Sequence, residues 1–158
     1  MAVYQFKREQ FFNQSIDVLW EFISSPKNLK TITPDYMGFD IVSKDLPNAM
    51  YEGMIINYKV SPVLGIKTTW VTEITHVKNK HYFVDEQRVG PYKIWHHQHF
   101  LEETNGGTLM KDIVTYQPPF GILGVLANSI MIKHKLNEIF EYRNTVLNEL
   151  FGTNSSQY

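Results

Sequence analysis

The sequence predicts an α+β fold: a seven-stranded antiparallel sheet, two short helices between its first and second strands, and one long helix at the C-terminus. Three observations predict it. From Pro118 to Phe151 the apolar residues Ile122, Val125, Leu126, Leu136, Ile139, Phe140, Val146, Leu147 and Leu150 recur at three- and four-residue steps, the spacing of one helical stripe. Between residues 39 and 117, six stretches rich in β-branched and aromatic residues are separated by turn chemistry. A loosely alternating stretch at the N-terminus leads into a short amphipathic one. Such a sheet needs one face covered, and the long helix is the available cover.

Taken in order, residues 3–13 carry Val3, Tyr4, Phe6, Phe11 and Phe12 and form the first strand. Ser15 caps the first helix, with Asp17 favoured in its first turn. Ile16, Leu19, Trp20, Phe22 and Ile23 are its apolar face, and Ser24-Ser25-Pro26 ends it. A one- or two-turn helix follows from Lys27 to Thr31, then a turn-rich connection to Gly38. Strands are expected at Phe39–Ser43, Gly53–Val60, Ile66–Val77, His81–Val89, Tyr92–Glu102 and Thr108–Gln117. Asn105-Gly106-Gly107 is the strongest hairpin signal. The last helix, about 30 residues or about 45 Å long, carries Lys133, Lys135, Glu138, Glu141 and Asn144 on its outer side. Gly152 stops it, and residues 152–158 are expected to be a flexible tail.

Composition narrows the function. A chain of 158 residues suits one domain, expected to span 1–158 with no repeat or linker. A net charge of −1 without a charge run leaves no footprint for nucleic acid. Zero cysteines exclude a disulfide framework, a thiolate metal site and a cysteine nucleophile. The first residues lack the apolar core of a signal peptide, and no run reaches membrane-spanning length, so a cytoplasmic protein without integral membrane association is expected. Aromatic residues make up 14% and fall mostly on strand-like stretches, which suits a wall of large side chains around a space.

Alternation along each strand fixes which side chains face that space. With Lys111 and Thr115 outward, Met110, Asp112, Val114 and Tyr116 turn inward. Glu86 and Arg88 outward leave Phe83, Asp85 and Gln87 inside; Lys67 and Glu73 leave Trp70, Thr72 and Ile74; Lys59 leaves Ile56 and Tyr58. On the sixth strand, burying Trp95 turns His97 and His99 inward as well. One wall therefore carries Asp85, Gln87, His97, His99 and Asp112 in otherwise apolar surroundings. Buried polar groups must satisfy one another or meet a ligand.

Element order and a set of local marks resemble the START/Bet v 1-like superfamily, the SRPBCC group of polyketide cyclase/dehydrase and lipid-transport proteins. The marks are Trp20, Ile32-Thr33-Pro34, Trp70-Val71-Thr72-Glu73-Ile74, Phe83-Val84-Asp85-Glu86-Gln87 and Gly90-Pro91. Trp95-x-His97-x-His99, Asp112 through Tyr116 and Pro119-x-Gly121 complete them. The resemblance covers about residues 2–150 and is to small stand-alone bacterial-type members. It implies a helix-grip fold, a curved sheet wrapped around the long helix, with an apolar molecule held between them. The glycine-rich phosphate loop of plant-allergen members and recognised cyclase signatures are both absent.

The expected function is binding of a small hydrophobic ligand such as a lipid, a polyketide-like aromatic or an isoprenoid, by a monomer or weak homodimer. Four roles are open for the polar cluster. It can be an internal network that fixes strand register, or an anchor for a carboxylate, carbonyl or hydroxyl of the ligand. It can also hold a metal through His97, His99 and Asp112, or serve acid–base catalysis by the same three in a cyclase or dehydratase. Neither a metal nor a cofactor is assigned. Val63, Leu64, Phe120, Ile122 and Leu123 form the expected cavity mouth, with Gly121 and Gly124 as pivots; the alternatives are ordinary loop packing or an apolar patch for a partner protein.

Overall fold

The computed structural model describes residues 2–61, 65–119 and 131–152. The expected mouth residues Val63, Leu64, Phe120, Ile122 and Leu123, with Val125, Leu126 and the tail from Thr153, lie outside them. Strand β1 (Tyr4–Phe12) leads into helix α1 (Ile16–Ile23), two 3-10 turns (Pro26–Leu29 and Asp35–Met37) and strand β2 (Asp40–Ile41). Strands β3 (Met54–Val60), β4 (Thr68–Lys78), β5 (Tyr82–Val89), β6 (Ile94–Thr104) and β7 (Gly107–Gln117) then precede helix α2 (Lys133–Phe151). The seven strands form one antiparallel sheet in the order β1-β7-β6-β5-β4-β3-β2, so α1 and the two turns carry the chain from one edge of the sheet to the other. Irregular pairing in β4 and β5 at Val71/Thr72 and Ile74/His76 bends the ladder.

Local chemistry explains where the elements end. Ser15 accepts the Val18 amide at the start of α1, and Ser24 Oγ bonds the Trp20 carbonyl at its end (2.6 Å). The strand expected at Phe39–Ser43 shrinks to Asp40–Ile41. Val42 and Ser43 both send their amides to the Asn57 carbonyl, and Ser43 Oγ takes the Asn57 amide at 2.8 Å. A side chain thus replaces the ladder. Strand β6 starts two residues later than expected, because the Gln87 carboxamide holds Tyr92 from both sides: Nε2 donates to its carbonyl (2.6 Å) and Oε1 accepts its amide (3.2 Å). A Cβ on Gly90 would stand 2.3 Å from Gln87 Oε1, so any larger residue there would displace the carboxamide from Tyr92. At the β6–β7 hairpin Gly106 takes φ +93°, the left-handed conformation that glycine adopts without strain.

Among the described residues three apolar clusters fill the inside: Met37, Phe39, Val60 and Trp70 form one, and two more flank the polar site. Leu147 of α2 joins Phe12, Leu19, Trp20, Ile23, Phe83 and Met110 in the larger one. Leu136 and Phe140 join Val114, Tyr116 and Ile132 in the other. Along β7, Asp112 stands between Met110 of the first and Val114 of the second, so the polar site sits at the seam. The rim of α2 is tied to β1: Arg8 pairs with Glu141, and Gln10 Nε2 donates to the Asn144 carbonyl (3.0 Å) and Asn148 Oδ1 (2.9 Å). Glu141 and Asn144, read from the sequence as a free outer side, therefore flank the sheet. Leu150 departs from the expected stripe and is 49% exposed, whereas Leu147 is 0% exposed. Leu147→Ala should cost about 2–5 kcal/mol and Leu150→Ala no more than about 0.5 kcal/mol; urea denaturation of the two variants checks the contrast.

Candidate functional site

Strand register builds the site. Asp85 on β5 stands directly across from His97 on β6, and His99 directly across from Asp112 on β7. Each imidazole thus has one carboxylate opposite and the other on the diagonal, within reach of side chains on one sheet face. His97 turns Nδ1 to Asp85 Oδ2 (3.4 Å) and Nε2 to Asp112 Oδ1 (3.1 Å). His99 turns Nε2 to Asp85 Oδ2 (2.8 Å) and Nδ1 to Asp112 Oδ1 (2.8 Å). The two rings lie 3.7 Å apart at 40°, with Phe83 stacked under His99 at 4.1 Å. From α2, Arg143 brings Nη1 to 3.4 Å from Asp112 Oδ1.

Charge balance sets the protonation. Two carboxylates against one guanidinium leave one negative charge, which one imidazolium neutralises; a second would be unpaired. Burial would raise the Asp112 carboxyl, but Arg143 and the two imidazoles outweigh it and hold it well below the usual carboxylate range. Asp85 is lowered in the same way, burial being overcome by His97, His99 and Arg143. His99 is pushed up, because bonds to both carboxylates outweigh its burial. His97 is pushed down by burial and by the charge of His99, which exceed the pull of Asp112 and Asp85. The pair thus shares one proton, carried by His99. Its Nδ1–H then points to Asp112, so the 3.4 Å approach of Arg143 Nη2 to that nitrogen is proximity and not a hydrogen bond.

Above this cluster, between sheet and α2, lies a cavity of about 170 Å³. Ile56, Tyr58, Trp70, Thr72, Phe83, Asp85, Trp95, His97 and His99, all expected inward, line it. Gln87, Met110, Asp112, Val114 and Tyr116, also expected there, do not. Gln87 is spent on Tyr92, Met110 belongs to the larger core cluster, and Val114 and Tyr116 are covered by Leu136 and Phe140. Asp112, 1% exposed, lies behind the imidazoles. One end of the cavity is an aromatic corner in which Trp70 meets Trp95 edge-on (5.2 Å) and Tyr92 (5.7 Å). Tyr58 bonds Thr72 Oγ1 at 2.8 Å, and burial, reinforced by the Asp85 charge, pushes its phenol far up, so it stays neutral. His76, His81 and His134 are exposed, and His96 pairs with Glu86 on the outer face.

Sequence reasoning missed Arg143, which is 7% exposed. The signal was present: Leu136, Phe140, Arg143 and Leu147 are the buried residues of α2, and their steps of four, three and four put the arginine on the apolar stripe. A cation at such a position needs a buried anion. Tyr92 was missed because it was read as the first residue of the sixth strand, on the face opposite Trp95.

No family model matches the chain, and no curated protein matches it either. Solved structures do. Protein CV1439 from Chromobacterium violaceum superposes with a TM-score of 0.69 at 11% identity, covering 95% of this chain and 99% of that one. The major latex-like protein 151 from Panax ginseng gives 0.65 at 9% identity, covering 96% and 99%. Ara h 8.0201 gives 0.57 at 16% identity, covering 93% and 99%. At these identities the likeness is one of fold: the chain has a Bet v 1-like helix-grip fold, as its element order led one to expect. Among the described residues, no helix is long and apolar enough to cross a membrane.

Two measurements test the charge arrangement. Arg143→Met leaves Asp112 buried beside a single imidazolium and should destabilise by about 3–5 kcal/mol, read by urea denaturation. The second is pH dependence. Above the ordinary imidazole value of about 6.5, the folded protein holds the His99 proton more tightly than the unfolded chain, so stability declines as pH rises through the folded value. Below it, the lowered His97 makes the unfolded chain the better proton binder, and stability declines as pH falls. The contribution of the pair crests near pH 6.5, about the ordinary imidazole value; the double variant His97→Gln/His99→Gln should flatten that crest.

Proposed function

We propose that the chain binds a small, largely apolar molecule in the cavity under α2, with one polar group of the ligand turned to the Asp85/His97/His99 wall. The observation that carries this reading is the cavity itself. Its roughly 170 Å³ is close to the size of apolar cavity that takes up a benzene ring, about 150 Å³. A few polar groups converging on an aromatic-lined space is the usual build of a small-molecule site. The volume favours a single-ring aromatic or a short isoprenoid over a long-chain lipid.

Two buried donors support a hydrogen-bond acceptor on the ligand. Trp70 Nε1 and Arg143 Nε, both on residues that line the cavity, have no hydrogen-bond partner among the described residues. An unsatisfied buried N–H costs about 1–3 kcal/mol, which a carbonyl or carboxylate oxygen would offset. Fold likeness to SRPBCC proteins agrees with this reading and names no ligand.

Displacement of an environment-sensitive dye by small aromatic probes tests it. Aromatic probes with a carbonyl or carboxylate should bind at least about fivefold more tightly than hydrocarbons of the same shape, the effect of a hydrogen bond worth about 1 kcal/mol. Ile139 lines the cavity from α2 and is half-buried, so Ile139→Trp should fill the space. It should weaken probe binding at least tenfold while altering stability by about 1–3 kcal/mol at most. Wild-type protein that takes up no apolar probe would remove the proposal.

A further inference from the structure

The four-residue square has a front and a back. On the cavity side, one nitrogen of each imidazole converges on a single oxygen: His97 Nδ1 and His99 Nε2 stand 3.4 Å and 2.8 Å from Asp85 Oδ2. Asp85, His97 and His99 each bring one donor atom to within 4.8 Å of the others. Ligand atoms held about 2.0–2.2 Å from one ion at a right angle stand about 3 Å apart, so these two separations match an ion-sized gap. On the back, His97 Nε2 and His99 Nδ1 both bond Asp112 Oδ1. A histidine that holds a metal almost always gives its other N–H to a carboxylate, which fixes the ring and strengthens it as a ligand. Asp112 does this for both rings at once, and Arg143 braces Asp112 from α2.

A network that only set strand register would not need this asymmetry. Asp85, His97 and His99 line the cavity, and Asp112 does not. We propose that Asp85, His97 and His99 form a mononuclear site for a divalent first-row transition ion, with its open coordination positions facing the apolar cavity. Two imidazoles and one carboxylate on one side of an ion, other positions free, is a donor set suited to iron, cobalt or zinc. The sequence paired the imidazoles with Asp112; the cavity lining puts Asp85 in front of them and Asp112 behind. Two carboxylates, Arg143 and a divalent ion sum to one positive charge. The matching ligand carries one anionic oxygen, a carboxylate or an enolate, on a small apolar body, and Arg143 lines the same cavity. This inference rests on the geometry of the square and not on the cavity being filled.

Full-length protein stripped with a chelator and titrated with Co²⁺ tests it without any organic ligand. One ion per chain should bind, with visible d–d absorption and displacement by one equivalent of Zn²⁺. Asp85→Asn should weaken binding at least about 100-fold and Asp112→Asn about 10- to 100-fold, the range for loss of a partner behind the ligands; His134→Gln should leave it unchanged. If the variants do not fold, the wild type still decides. Bound Co²⁺ should shift the ring protons of Phe83, which stacks on His99, and of Phe140, 5.7 Å from His97. Absence of stoichiometric binding, or shifts confined to His76, His81 or His134, would overturn the site. Dye displacement on the stripped protein reads apolar binding separately, so either proposal can fail alone.

Discussion

Asp112 is the constraint around which the interior is arranged. A carboxylate with almost no exposure stays ionised only where cations and N–H donors close on it, and here three do so on the one oxygen Oδ1. Two come from β6 and the third from α2. The same contact therefore sets the sheet register and the placement of the helix. A slip of one residue between β6 and β7 would move both histidines to the outer face and leave the aspartate buried without a partner. Breaking a buried pair in that way is far more damaging than never having built it.

Apolar packing supports this arrangement from both sides. Phe12, Met110 and Leu147 fill the space on one side of Asp112, Val114, Leu136 and Phe140 on the other. The polar seam lies between them, under the cavity. Trp70, Tyr92 and Trp95 lean on one another at the far end, so that end is a stiff wall. The site thus joins a rigid aromatic corner to a charged floor.

Much of this could be read from residue order. One lysine or glutamate fixed the parity on β3, β4, β5 and β7, and on β6 the burial of Trp95 chose between two faces. The two-His, two-Asp wall was legible for that reason, as was the Asn105-Gly106 hairpin. What escaped has physical causes. Arg143 looked like one more charge on an amphipathic helix, although its spacing from Phe140 and Leu147 placed it among buried residues. Gln87 had the right parity, yet its amide was drawn to the backbone of the next turn, an event that alternation cannot express. Which aspartate faces the cavity depends on the diagonal reach of side chains across three strands, and composition is silent on it. Cavity volume depends on the rotamers of a few large rings and is equally invisible.

The edge-to-edge order of the sheet has a consequence for how the chain is made. Tyr4 pairs with Tyr116, and Phe12 with Thr108, so β1 waits through the synthesis of nearly the whole sheet before its hydrogen-bond partner exists. Until β7 leaves the ribosome, the first strand is a bare edge carrying Tyr4, Phe6, Phe11 and Phe12. Closure over so long a loop slows folding, and an unpaired apolar strand is open to pairing with other chains meanwhile. Lys7 and Glu9 alternate with those aromatics, and charges of this kind discourage edge-to-edge pairing during the wait.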